Sequence, residues 1–185
     1  MSNILIIHGT YGSPEGNWFP RLKTELEQVG HQAFIPNFPT PENQSLESRL
    51  KVFEEYKKYF NQDTILIGHS LWSPFLLSIL EILEQPVKAC FLISGFTGLL
   101  GNSEFDELNK TFTTKEFNRA KIKEKCEKFV VINSDNDPYV PLEKGKILAK
   151  NLGTELTILH KAGHINKESG YTEFNFLLEK IKEIL

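Results

Sequence analysis

Six short runs of apolar residues, separated by longer stretches with helical periodicity, constrain the fold of this chain more than any other feature. The runs are continuous rather than alternating, which is typical of strands buried on both faces of a parallel sheet. They are Ile4–Ile7, Ala33–Ile35, Thr64–Ile67, Ala89–Ile93, Phe129–Ile132 and Leu156–Leu159. This alternation of strands and helices predicts an α/β fold of three layers (α/β/α) around a mostly parallel six-stranded sheet.

The length and composition favour a single domain over residues 1–185. Apolar residues make up 40% of the chain and charged residues 24%, which excludes a mostly disordered, collagen-like or coiled-coil protein. A six-stranded sheet with its helices uses nearly all of this length. The only spare stretch, from Phe96 to about Arg119, is expected to cross the carboxyl edge of the sheet and is too short for a folded cap domain.

Charge and hydropathy indicate which partners to expect. The chain has 21 Lys and Arg against 24 Asp and Glu, a formal net charge of −3, which argues against nucleic acid as the main partner. No apolar run approaches the about 18 residues of a membrane span, and no basic segment precedes Ile4. Cys90 and Cys126 are expected to be reduced thiols. We expect a cytoplasmic protein that binds neither nucleic acid nor membrane, with a protein partner neither indicated nor excluded.

The segment Thr64–Trp72 carries the clearest chemical signal. A buried strand runs into Gly68-His69-Ser70 and then directly into an apolar helix. This strand–turn–helix context is that of a nucleophile elbow, in which a tight turn exposes the serine hydroxyl above the sheet. Ser70 is therefore the predicted nucleophile, and its alternative is a serine that caps the helix.

Partners for a serine nucleophile follow two later strands. Asp137 lies in the loop after Phe129–Ile132, and His164 in the loop after Leu156–Leu159. A serine needs a base, and the order serine, acid, histidine is that of the α/β-hydrolases. We predict that His164 takes the Ser70 proton and that Asp137 orients His164. Asp135 is the rival acid, or a residue that forms the turn.

Backbone N–H groups near Ser70 could stabilise an oxyanion. Leu71 follows the serine at the start of the helix, where the helix dipole is positive. A second N–H is expected from the loop after the first strand, from Thr10 or Tyr11. These three residues form the predicted oxyanion hole.

Three further residues are predicted to border the substrate pocket. His8 could shape the oxyanion loop, and Trp18 could form one wall, although both could instead pack the fold. Trp72 stands two residues after Ser70, where its indole could narrow the pocket.

Neither a metal nor a nucleotide cofactor is predicted. His160 and His164 are four residues apart, but Gly163 and the preceding strand indicate a loop whose two rings need not converge on a metal. The glycines after the first strand are spaced G-x-x-G-x-x-x-G, which is not the dinucleotide pattern, and no acid ends the second strand.

Motifs along nearly the whole chain resemble one known family. They are His8-Gly9-Thr10, Asn17-Trp18-Phe19-Pro20, Pro36-Asn37-Phe38-Pro39, Gly68-His69-Ser70-Leu71, Ser134-Asp135-Asn136-Asp137-Pro138-Tyr139-Val140-Pro141 and Gly163-His164-Ile165-Asn166. Together they resemble the small α/β serine hydrolases of the YdeN and retinoblastoma-binding protein nine family. The resemblance implies a minimal α/β-hydrolase fold and a Ser70–Asp137–His164 triad, and it leaves the substrate undefined.

Trp72 departs from the family pattern G-x-S-x-G, which has a small residue there. The helix could tilt and leave the site intact, the indole could narrow the pocket, or the elbow could relax and weaken catalysis. The sequence therefore predicts a serine hydrolase that cleaves a small ester, thioester or amide through an acyl-enzyme. The alternative is a hydrolase-like protein that binds a protein or small ligand and has little catalytic power.

Overall fold

Six strands form one sheet in which every strand runs parallel to its neighbours. In the computed structural model, which describes residues 1–185, the order across the sheet is β2-β1-β3-β4-β5-β6. The strands are β1 Asn3–Ile7, β2 Gln32–Phe34, β3 Ile65–His69, β4 Val87–Ile93, β5 Cys126–Ser134 and β6 Leu156–Leu159. The predicted six-stranded α/β fold is confirmed.

Seven α-helices connect and follow these strands. They are α1 Phe19–Gln28, α2 Leu46–Glu54, α3 Trp72–Ile82, α4 Ser103–Thr113, α5 Arg119–Glu124, α6 Leu142–Leu152 and α7 Asn175–Lys182. The spare stretch between Phe96 and Arg119 thus contains one helix, α4, and no strand. No helix in the protein has both the length and the hydropathy needed to cross a bilayer.

One predicted segment differs from the structure. The mixed-charge stretch Lys121–Lys128 is typical of a solvated helix face, but α5 ends at Glu124 and β5 begins at Cys126. At the start of β5, Cys126 is buried, whereas the next two residues, Glu127 and Lys128, are exposed. Because the exposed positions carry charges, the apolar pattern reveals this strand only from Phe129 onward.

The sheet divides the core into two layers. In β1, Leu5 and Ile7 belong to the apolar cluster under α3 and α6, whereas Ile4 and Ile6 belong to the cluster under α1 and α7. Successive side chains of a strand point to opposite faces, and both faces are covered here. This explains why the strands have continuous rather than alternating apolar sequences, and it leaves the carboxyl edge for polar loops.

Candidate active site

Ser70 lies at a sharp turn between the end of β3 at His69 and the start of α3 at Trp72. Its φ angle is +64°, a left-handed conformation that is uncommon outside glycine. A Cβ added to Gly68 would lie only 2.7 Å from Leu76 Cδ1, so the close approach of α3 to β3 requires glycine there. The Ser70 N–H donates to Ile93 O on β4 at 2.8 Å, which ties the turn to the sheet. The local geometry is that of a nucleophile elbow.

His164 and Asp137 are hydrogen-bonded, with His164 Nδ1 2.8 Å from Asp137 Oδ2. Asp137 Oδ1 also accepts the backbone N–H groups of Tyr139 at 2.9 Å and Val140 at 3.0 Å. Burial opposes the ionised carboxyl, but the hydrogen bond and charge of His164, with these two N–H groups, hold the pKa of Asp137 below its ordinary value of 3.8. An ionised Asp137 fixes the proton on His164 Nδ1 and leaves Nε2 free to accept a proton.

The loop that carries His164 is tied to the serine turn through His69. His69 Nε2 lies 2.8 Å from His164 O, and Ser94 Oγ donates to the same carbonyl at 3.2 Å. Burial, reinforced by the neighbouring His164, lowers the pKa of His69 to about 3. His69 is therefore neutral, and because a carbonyl only accepts, its proton is on Nε2. It fixes the His164 loop next to Ser70.

Ser70 and His164 both line an open cavity of about 630 Å³ at the carboxyl edge of the sheet. Its other lining residues are Gly9, Thr10, Tyr11, Gly12, Ser13, Gly16, Asn17, His69, Asn102, Glu104, Phe105, Tyr139, Asn166, Lys167 and Glu168. The apolar members are all aromatic, and the remaining side chains are polar or absent. No hydrogen bond joins Ser70 to His164 in this structure; such bonds are often formed only in the complex with substrate.

Two of the three predicted oxyanion donors are free. The N–H groups of Leu71 and Thr10 donate to no acceptor within the protein. Thr10 lines the cavity, whereas Leu71 is fully buried next to the lining residue Ser70. The N–H of Tyr11, by contrast, donates to Thr40 Oγ1 at 2.8 Å. Tyr11 is therefore not an available donor, and the exposed Tyr11 side chain contributes to the cavity wall instead.

The side chains of His8 and Trp18, predicted to border the pocket, lie in the core and line no part of the cavity. Trp18 is fully buried, and its Nε1–H donates to Ile165 O at 2.9 Å. His8 Nε2 accepts the N–H of Phe38 at 3.1 Å, so the other ring nitrogen carries the proton. Burial lowers the pKa of His8 to about 4, which keeps it neutral. Both residues support the fold beneath the site.

Trp72 is also fully buried and outside the cavity. Its ring packs against Phe38 and Phe75, with ring centroids 4.7 and 4.8 Å away. The expectation that the indole narrows the pocket is not met, because the first turn of α3 directs it into the core. Nor does the turn relax, since Ser70 keeps its positive φ.

The rival acid Asp135 has a different partner. Its Oδ2 lies 2.7 Å from His160 Nδ1, and its Oδ1 accepts the N–H of Lys161 at 2.8 Å. Neither Asp135 nor His160 lines the cavity. His160 and His164 thus bond to different carboxylates, and Asp137 is the acid that contacts His164.

Several cavity residues carry no signal in the sequence. Tyr139 is half-exposed, and its ring centroid lies 5.0 Å from that of His164 in an edge-to-face arrangement. It belongs to the Asp-Pro-Tyr-Val-Pro turn, which the sequence singles out only for its acid. Glu104 and Phe105 come from the start of α4, and Glu168 from a loop after β6. Their sequence separation from Ser70 conceals that they share one cavity.

Nearly the whole chain matches a known family. Residues 4–183 match the model of the family described as "Serine hydrolase". The chain belongs to the serine hydrolase family. A curated relative in Bacillus subtilis, the hydrolase YdeN, is 34% identical over 172 residues, which cover 91% of this chain and 88% of the relative. The serine hydrolase RBBP9 of Rattus norvegicus is 28% identical over 169 residues, covering 91% and 86%.

Solved structures of other proteins have the same fold. The crystal structure of the ydeN gene product from B. subtilis superposes with a TM-score of 0.92 at 31% identity, covering 100% of this chain and 98% of that one. Est1E from Butyrivibrio proteoclasticus, in its complex with ferulic acid, gives a TM-score of 0.74 at 16% identity, covering 99% and 87%. The latter likeness concerns the fold alone.

Proposed function

We propose that this member of the serine hydrolase family cleaves a small ester, thioester or amide through an acyl-enzyme on Ser70. The observation that carries the proposal is the placement of Ser70, at a strained turn before a helix, in the same cavity as the His164–Asp137 pair. Strained backbone at such a turn aims the hydroxyl out of the sheet. Solved structures with this fold include proteins named esterases, such as esterase PE8, so an ester is the first substrate to assay.

The proposed reaction has two halves. Ser70 Oγ attacks the carbonyl carbon while His164 Nε2 takes the hydroxyl proton, and the carbonyl oxygen becomes an anion. The N–H groups of Leu71 and Thr10 stabilise that anion. The intermediate collapses, the alcohol, thiol or amine leaves with the proton from His164, and the acyl group stays on Ser70. Water, deprotonated by His164, then attacks the acyl carbonyl carbon. The ester bond to Ser70 Oγ breaks, His164 returns the proton to Ser70 Oγ, and the carboxylic acid leaves.

A fluorophosphonate tests the proposal directly, because it phosphonylates only a serine that has been activated as a nucleophile. The intact mass of the treated protein should increase by one phosphonyl group, and Ser70→Ala should abolish the increase. Ser73→Ala is the matched control, since Ser73 is buried outside the cavity, and it should still be labelled. A folded protein that takes up no label would support the alternative of a hydrolase-like binding protein.

A further inference from the structure

Arg49, in α2, is buried without a carboxylate to balance its charge. Its side chain has no exposed surface, and it donates only to neutral acceptors: to Pro39 O at 3.2 and 3.3 Å and to Gln44 Oε1 at 2.6 Å. Its Nη1 has no partner. An uncompensated buried charge costs stability, and an apolar side chain could fill the same space. If its hydrogen bonds served folding alone, arginine would therefore be a costly residue at this position.

The guanidinium fixes the orientation of the neighbouring amide. Because Arg49 only donates, the Gln44 side chain must turn its carbonyl oxygen toward it. The Gln44 NH₂ group then points the other way, where it donates to Asn109 Oδ1 and, at 3.4 Å, to Thr10 Oγ1. The direction of these hydrogen bonds is thus set by the N–H donors of Arg49.

The same chain of hydrogen bonds ends at the oxyanion loop. The Thr10 hydroxyl donates to Asn109 Oδ1 at 3.3 Å, and Asn109 Nδ2 donates to Phe105 O at 2.7 Å. Every donor and acceptor in this series has one allowed direction once Arg49 is in place. Thr10, which lines the cavity and has a free N–H, is therefore held in place by the hydrogen bonds of its side chain.

On its other side the guanidinium lies against Trp72. The Arg49 Cζ atom is 3.8 Å from the centroid of the Trp72 ring, a close cation–π contact. Trp72 is the first residue of α3 and follows Leu71, which provides the other free N–H of the site. A small residue at position 72, as in the family pattern, would offer no aromatic face to the cation.

We propose that Arg49 and Trp72 form a pair that positions the oxyanion hole. The pair acts on the Thr10 N–H through Gln44, and on the Leu71 N–H through the start of α3. Neither residue touches substrate, so both are positioning residues. The proposal rests on the proposed hydrolase function, and it gives the indole that replaces the small residue of the motif a role in the site.

Gln44→Glu separates positioning from folding. A carboxylate at this position keeps an acceptor for Arg49 and neutralises its charge, but it has no NH₂ group to donate to Thr10 and Asn109. We expect the kcat for p-nitrophenyl acetate to fall about tenfold, which is less than the loss on deleting an oxyanion donor, with KM within about twofold. The melting temperature should change little, because the ion pair with Arg49 offsets the repulsion between the new carboxylate and Asn109 Oδ1. An unchanged kcat in this variant would overturn the proposal.

Arg49→Met tests the pair itself, with Arg49→Lys as the conservative change. We expect Arg49→Met to lower kcat by about tenfold or more and to weaken inhibition by a boronic acid, a mimic of the tetrahedral intermediate, by a similar factor. Lysine keeps the charge but not the planar fork, so it should restore only part of the loss. Should Arg49→Met fail to fold, the result for Gln44→Glu decides.

A core variant on the opposite face is the control for lost stability. Leu178→Ala removes buried side chain from α7, far from this network. Measured well below both melting transitions, it should keep the wild-type kcat. An equal loss of kcat in Leu178→Ala and Arg49→Met would make the role of Arg49 structural and overturn the proposal. Fluorophosphonate labelling of wild-type Ser70 tests the hydrolase function separately, so failure of one proposal is distinguishable from failure of the other.

Discussion

Two His–Asp pairs with the same chemistry lie on the loops after β5 and β6. His164 Nδ1 is 2.8 Å from Asp137 Oδ2, and His160 Nδ1 is 2.7 Å from Asp135 Oδ2. The side chains of the first pair are 10% and 0% exposed, and those of the second are 83% and 34% exposed. The hydrogen bonds are nearly identical, whereas the surroundings are not.

This difference in exposure shows that a His–Asp contact is not by itself a sign of catalysis. In water an exposed pair is screened and contributes little, since its members can separate and be hydrated. The Asp137 side chain, by contrast, has no exposed surface and is held by two N–H groups, so its charge acts on His164 at close range. Only His164 shares a cavity with a serine at a helix N-terminus.

The largest difference between the two pairs is expected when each acid is neutralised in turn. Asp137→Asn should lower kcat for an activated ester by about 10⁴-fold, because the amide no longer holds His164 in the tautomer that accepts the serine proton. Asp135→Asn is the matched control and should stay within about twofold of wild type. Steady-state hydrolysis of p-nitrophenyl acetate measures both. Equal losses in the two variants would show that the exposed pair takes part in catalysis.

The pH dependence of the free energy of unfolding tests whether the pKa of Asp137 is lowered in the folded protein. Its pKa is below 3.8 in the folded protein, so its contribution to stability is complete above 3.8 and is lost as the pH falls through the lower folded value. Urea unfolding of wild type and Asp137→Asn from about pH 6 to about pH 3 should show a difference that shrinks with falling pH. A difference that is constant across this range would mean that Asp137 titrates normally.

The smallest effect is expected at the exposed histidine. His160→Ala should change the melting temperature by less than about 2 °C, because a surface pair contributes little to the free energy of unfolding. Added salt should reduce even this change. Thermal unfolding followed by circular dichroism measures it. A much larger decrease would indicate that the pair anchors the β5 and β6 loops.

The strands of the sheet could be predicted from the sequence because parallel strands buried on both faces have continuous apolar runs. Each predicted run overlaps an observed strand, and Ser70, Asp137 and His164 lie in loops that follow three of them. Parallel strands bring the loops at their carboxyl ends to one edge, which is why residues far apart in sequence could be predicted to share a site.

Contacts that depend on side-chain direction could not be predicted in this way. The sequence does not show whether an aromatic or imidazole ring near the carboxyl edge of the sheet faces the cavity or the core. His8, Trp18 and Trp72 all face the core. The position of Tyr11 in the sequence fits an oxyanion donor, but its backbone N–H donates to Thr40 Oγ1. Position along the chain does not specify these orientations.

The buried polar network is the feature that the sequence indicates least; it consists of Arg49, Gln44, Asn109 and Thr10. Leu46, Leu50 and Phe53 mark one apolar face of α2, and the spacing of Arg49 places it on that same face, but a charged side chain there is expected to extend to solvent. In the structure Arg49 and Phe53 are its buried residues. Gln44 and Asn109 lie in segments 65 residues apart, and nothing in either segment indicates the other. Such a network is defined by tertiary packing alone.

The central claim is that Ser70 carries the acyl group during turnover, and trapping that intermediate tests it most directly. The protein is mixed with p-nitrophenyl acetate, quenched with acid within milliseconds and digested, and its peptides are weighed by mass spectrometry. We expect one acetyl group on the peptide that contains Ser70, and no acetyl group on the corresponding peptide of Ser70→Ala. Hydrolysis by the wild-type protein with the acetyl group on another residue, or undiminished hydrolysis by Ser70→Ala, would contradict it.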